Sequence, residues 1–80
     1  MEIKLSRHAR RQMKWRKIVA EEVSAVISDP DKVEDSKKGK KNAFKIVHGR
    51  LLKVTYKREG ETAVVITAMV KGEKQDENRI

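Results

Sequence analysis

Apolar residues recur at the period of a helix through the first third of the chain and alternate like strands through the second half. Leu5, Ala9 and Met13 are spaced by four and share one flank of a helical wheel. Arg7, Arg10, Arg11 and Lys14 gather on the opposite flank, within about 100° of arc. A helix over 7–16 would therefore carry a cationic outer stripe. His8, Gln12, Trp15 and Arg16 lie beside the apolar stripe, which points His8 and Arg16 toward the edge of whatever the helix packs on. Ser6 stands where its hydroxyl can accept a first-turn N–H. Val19, Val23, Val26 and Ile27 then fall at i, i+4, i+7 and i+8 and predict a second amphipathic helix over 19–28. Glu21 and Glu22 suit the positive end of its dipole, and Asp29–Pro30 stops it. Between the two, Lys17 and Val19 are neither a glycine stop nor a good cap, so two helices and one kinked helix both remain open.

The remainder reads as β-structure. Residues 2–5 (EIKL) alternate polar and apolar and suit a short strand, as do 31–35 (DKVED), which lead into a basic turn over 36–41. Residues 43–48 and 51–57 are strands around His48, Gly49 and Arg50. A three-residue loop there sets Val47 opposite Leu51, Ile46 opposite Leu52, Phe44 opposite Val54 and Lys45 opposite Lys53, separating an apolar face from a lysine face. Residues 62–70 (TAVVITAMV) are apolar on both faces, as a central strand should be. The order is α-α-β-β-β-β, with or without a short strand in front. The expected fold is α+β: two N-terminal helices packed on a four-stranded antiparallel sheet. Residues 1–70 would form a single domain and 71–80 a polar flexible tail.

Eighty residues suffice for one domain. With 38 % hydrophobic residues and three aromatics (Trp15, Phe44 and Tyr56) the core must be small. No cysteine is present, which removes disulfides, a thiol nucleophile and thiolate metal sites. No apolar run approaches the roughly 20 residues of a membrane span, and charges interrupt residues 1–20 where a signal peptide would be apolar. A cytoplasmic protein without membrane contact is expected.

Charge changes the picture more than composition does. The net charge is +8, and it is unevenly placed. Residues 1–17 hold seven bases against one acid, 18–36 one against six, 37–58 nine against none, and 59–80 three against five. Two concentrated positive blocks attract a polyanion. RNA is the expected partner, with an acidic protein as the other candidate; nothing in the sequence sets an oligomeric state.

Candidate chemistry is narrow. His8 and His48 sit in different elements with no carboxylate at ligand spacing, so no metal site is expected. Four glycines include no G-x-G, so no nucleotide cofactor is expected either. What remains is metal-free phosphate chemistry, which needs proton transfer near neutrality and cations on the phosphate. His8, His48, Arg16, Arg50, Lys45, Lys53 and Tyr56 are the available parts. Each has a plainer reading: His8 as a local hydrogen-bonding group, His48 and Arg50 as turn residues, Lys45 and Lys53 as a solvated or passive phosphate-binding face, Tyr56 as a core-edge ring. Trp15 can stack on a base or pack.

Ser6, His8, Ala9, Met13, Arg16, Ile18, Glu21, Glu22, Val23, Ile27, Asp29, Pro30, Ile66 and Thr67 resemble the pattern of a small prokaryotic family of uncharacterised domains. That pattern is Ser-x-His-Ala, Met, Arg-Gly-Ile, a short acidic helix, Asn/Asp-Pro and strands ending in Ile-Thr, and the likeness covers most of residues 3–70. Lys17 stands where the pattern has Gly, Val19 at its helix-2 cap, and Trp15 at its acid before the Arg. The family is similar in layout to RelE/ParE-like toxins, BrnT among them. This implies a RelE-like fold and, more distantly, a metal-independent ribonuclease held inactive by an acidic antitoxin. The leading expectation is thus a toxin-like endoribonuclease that cleaves RNA through 2′-hydroxyl attack. His8 would transfer the proton, with Arg16 and Arg50 on the phosphate. The alternatives are a non-catalytic nucleic-acid-binding module using Arg7, Arg10, Arg11, Lys14, Lys45 and Lys53, and a basic protein that docks an acidic partner.

Overall fold

Ser6 ends one element and begins the next. In the computed structural model, which describes residues 2–73, its backbone N–H donates to the Val65 carbonyl (3.0 Å) and its hydroxyl donates to the Ile66 carbonyl (3.1 Å). The same hydroxyl accepts the Ala9 N–H (3.0 Å). One residue therefore closes strand β1 (Glu2–Leu5), caps helix α1 (Arg7–Arg16) and fixes both to strand β5 (Thr62–Glu73). Between them run α2 (Ala20–Ser28), β2 (Lys32–Asp35), one 3-10 turn (Lys37–Gly39), β3 (Lys40–Val47) and β4 (Arg50–Glu59).

The expected arrangement of two N-terminal helices on a four-stranded antiparallel, RelE-like sheet is overturned. The sheet has five strands in the order β1-β5-β4-β3-β2, and it is mixed, because β1 lies parallel to β5. β1 precedes both helices and belongs to the sheet. The reason is apolar: Ile3 pairs with Ala63 and Leu5 with Val65, and both side chains pack on the core. The alternation of residues 2–5 signals a strand, but its partner lies some sixty positions away.

The helices are two. α1 ends with Lys17 in the left-handed region (φ 59°), its N–H reaching the Lys14 carbonyl while Ile18 N–H reaches Met13 (2.8 Å). This is a Schellman ending, and buried Ile18 and Met13 supply its apolar contact. α2 then starts without a polar cap side chain. Val19, placed on the apolar stripe by spacing, sits before the helix and is 55 % exposed. Its N–H is taken up by the Glu22 carboxylate (3.1 Å), half of a capping box.

The β3–β4 register also differs from expectation by one residue. Val47 pairs with Arg50, leaving a two-residue turn of His48 (φ 53°) and Gly49 (φ 81°). Two positive φ values are what a type I′ turn needs, and its twist matches that of the strands. Lys45 therefore faces Leu52, and Phe44 faces Lys53. A one-residue slip exchanges the faces of the sheet, so Lys45 and Lys53 lie on opposite sides. In β5, irregular pairing beside Thr67 and Val65 lets Ala63, Val65, Ala68 and Val70 all face inward.

Every fully buried strand residue, from Ala43 through Leu52, Val54 and Tyr56 to Ala68, is on one face, under Ala9 and Met13 of α1 and Val23, Val26 and Ile27 of α2. Both helices cover that face and, among the described residues, none covers the other. No helix among the described residues is long and apolar enough to cross a membrane. Of the tail expected over 71–80, residues 71–73 belong to β5 and 74–80 lie outside the described residues.

Candidate nucleic-acid interface

Only Ala9 and Met13 of α1 are buried. Arg7, Arg10, Arg11 and Lys14 are exposed along the outer flank, as their spacing implies. Among the described residues no carboxylate pairs with any of them. The ion pairs found lie elsewhere: Lys32–Glu34 and Lys41–Asp35 (2.9 Å each), Lys45 with Asp29 (3.5 Å) and Asp31 (3.7 Å), and Arg50–Glu22 (3.3 Å). The stripe works against its own helix. α1 has no acid in its first turn, and cations there oppose the macrodipole at about 0.3–1 kcal/mol each. The i,i+3 and i,i+4 pairs Arg7–Arg10, Arg7–Arg11, Arg10–Lys14 and Arg11–Lys14 repel at about 0.2–0.5 kcal/mol each. Lys14, in the last turn, suits the dipole, but helix stability does not explain Arg7, Arg10 and Arg11.

Trp15 continues the stripe. It is 79 % exposed, with the Arg16 guanidinium 5.8 Å from its ring centroid. His8, Arg11 and Trp15 recur at i, i+3 and i+7, so imidazole, guanidinium and indole share one exposed face. The expected inward lean of His8 and Arg16 is not found: both are exposed, because the helix turns Ala9 and Met13 into the core instead.

The three residues expected to act together do not converge. His8 and Arg16 are eight positions apart on α1, about 12 Å along its axis. Arg50 is committed elsewhere. Its Nη1 donates to the Arg16 carbonyl (3.0 Å), and its Nη2 to the Lys17 carbonyl (3.1 Å) and the Glu22 carboxylate (3.3 and 3.4 Å). It thus closes the C-terminal end of α1 and neutralises Glu22, which is only 7 % exposed. Arg50 meets Arg16 through the main chain, not through its guanidinium. Glu22 was visible in the sequence as an acid at the third position of α2 among buried valines; its partner was not.

Other candidates separate as well. Lys45 is held by Asp29 and Asp31, and Asp31 further accepts the Ile46 N–H (3.1 Å). Lys53 stands half-buried on the uncovered sheet face. His48 is an exposed turn residue and Tyr56 a buried core ring. Among the described residues no three His, Cys, Asp or Glu side chains gather to hold a metal. At the β2–β3 edge, the hydrogen bond and charge of Lys41 hold the Asp35 carboxyl below its ordinary value.

Over residues 5–70 the chain matches the model of a family described as a domain of unknown function, DUF4258. No curated protein and no solved structure matches it.

Proposed function

The chain belongs to the DUF4258 domain family, and from that premise, reading its own surface, we propose that it is a nucleic-acid-binding module that takes RNA on the outer flank of α1. The observation that carries this reading is the stripe of Arg7, Arg10, Arg11 and Lys14, exposed, without a carboxylate among the described residues and costly to its own helix, with Trp15 exposed at its end. Arginine forks match phosphate oxygens. An exposed indole stacks on an unpaired base, which an acidic protein does not offer.

A salt titration with labelled single-stranded RNA tests the proposal. Neutralising phosphates releases counterions, at about −0.7 of log–log slope per contact. Arg7→Gln, Arg10→Gln and Arg11→Gln together should lower the slope by about 2. A slope that is flat in the wild type, or unchanged in the variant, removes the reading.

A second reading is a toxin-like, metal-independent endoribonuclease of the RelE/ParE/BrnT type, held by an acidic antitoxin. One observation favours it. In the Ser-x-His-Ala motif, Ser6 caps α1 and Ala9 fills the core, whereas His8 is exposed with no part in packing. Cleavage would need His8 to work without Arg50, whose donors hold the helix joint. Cut RNA with wild type and intact RNA with His8→Ala supports this reading; equal outcomes for both proteins reject it.

A further inference from the structure

The face of the sheet that no helix covers has the composition of a platform. Register places Lys32, Phe44, Lys53 and Met69 in one row across β2, β3, β4 and β5. Phe44 is the aromatic of that row, half-buried, with the Lys32 ammonium 6.0 Å from its ring centroid. Lys53 lies between Phe44 and Met69, and among the described residues it has no carboxylate partner. Two rows away Lys40 directly opposes Lys57, an arrangement that destabilises a sheet. Five lysines (these four and Lys4) share the face with three acids, Glu2, Glu34 and Glu59, and Glu34 is occupied by Lys32 (2.9 Å). Between the rows the Thr55 hydroxyl donates to the Asn42 side-chain carbonyl oxygen (2.7 Å).

This face is joined to α1. A groove of about 450 Å³ at the β1 edge is lined by Lys4 and Val64 from the open face and by Ser6 and Arg10 from the helix side. One flexible polyanion can therefore leave the α1 stripe, cross the β1 edge and continue over the sheet. A rigid duplex cannot follow that path.

We propose that the open sheet face is a second RNA-binding surface, on which Phe44 stacks an unpaired base while Lys53, Lys57 and Lys4 hold the phosphates, so that the ligand is single-stranded RNA. The assignment rests on the RNA reading above and deepens it. The excess of lysines calls for an anion, and the aromatic among apolar and hydroxyl neighbours calls for bases.

The test measures affinity and salt slope for oligouridine of about 12 nucleotides, within the site sizes of single-strand binders. Phe44→Leu should weaken binding about tenfold at unchanged slope, since stacking is lost and charge is not. Lys53→Gln should lower the slope by about 0.7. Phe44→Tyr should bind as wild type. Oligouridine carrying 4-thiouridine should photo-crosslink to the peptide containing Phe44 in the wild-type protein, which needs no variant to fold. If the α1 triple variant loses binding while Phe44→Leu and Lys53→Gln bind as wild type, the sheet proposal fails and the α1 reading stands. If the wild type does not bind oligouridine, both fail. If polyglutamate displaces the RNA at equal charge concentration, or duplex RNA binds as tightly as single-stranded RNA, the sheet proposal is overturned.

Discussion

Arg50 and Arg11 show two ways of using the same side chain. At the helix joint, the Arg50 guanidinium is 20 % exposed and meets two carbonyls and a buried carboxylate. On the outer flank of α1, Arg11 stands in solvent between Arg7 and Lys14, with no acid to meet among the described residues. The first holds the fold together and has few donors left to offer a ligand. The second destabilises its element and has all its donors available. Cations that serve the fold are thus recognised by the acceptors they satisfy, and cations proposed to serve a ligand by the repulsion they tolerate. Lys45, tied to Asp29 and Asp31, falls with Arg50; Lys57, set directly opposite Lys40, falls with Arg11.

The strongest challenge to that division is removal of Arg50. Arg50→Ala leaves Glu22 buried and charged and opens the α1 carbonyls, so it should cost about 3 kcal/mol in urea unfolding. The whole fold is worth roughly 4–12 kcal/mol at 0.05–0.15 kcal/mol per residue, so the variant should sit close to unfolding at 37 °C. A loss no larger than that of Arg11→Ala would erase the distinction. Lys17 sharpens it at the same joint. Its φ of 59° is left-handed, a conformation that costs a non-glycine residue about 1 kcal/mol, so Lys17→Gly should stabilise by about that amount. A destabilised variant would mean that the Lys17 side chain supports the joint.

The smallest effect belongs to the exposed Lys41–Asp35 pair. Because Lys41 lowers the Asp35 carboxyl, whatever the pair adds is present above the ordinary carboxylate range and fades as pH falls through the lowered value. Solvent screening makes that addition small. Lys41→Ala should shift the thermal midpoint no more than a neutral surface substitution does, and a clear drop would place Lys41 among the structural cations.

Local signals carried most of what the sequence told. Ser6 as a cap, the Ala9–Met13 spacing and the Asp29–Pro30 stop each act within a turn or two, and the two helices lie close to where they indicate. Three features were hidden for separate reasons. β1 finds β5 at long range, where alternation names no partner. The His48–Gly49 turn depends on a positive φ at a histidine, which composition does not announce, and it moved Lys45 to the covered face. The Lys17 ending of α1 required a lysine to adopt a glycine conformation. The cationic stripe was legible because it obeys helical periodicity, while the Arg50 clamp was not, because its acceptors come from three residues around a joint the sequence left ambiguous. The uncovered sheet face followed only once the register was known.

The central claim is that the α1 stripe exists for a ligand at the expense of the helix, and one variant measures both halves. Arg7→Gln, Arg10→Gln and Arg11→Gln together remove like-charge and dipole repulsion at nearly equal helix propensity. Urea unfolding should then show a higher midpoint at unchanged m, a gain of about 1 kcal/mol, while the same protein loses affinity and salt dependence for single-stranded RNA. A lower midpoint, or RNA binding that survives intact, would contradict the account.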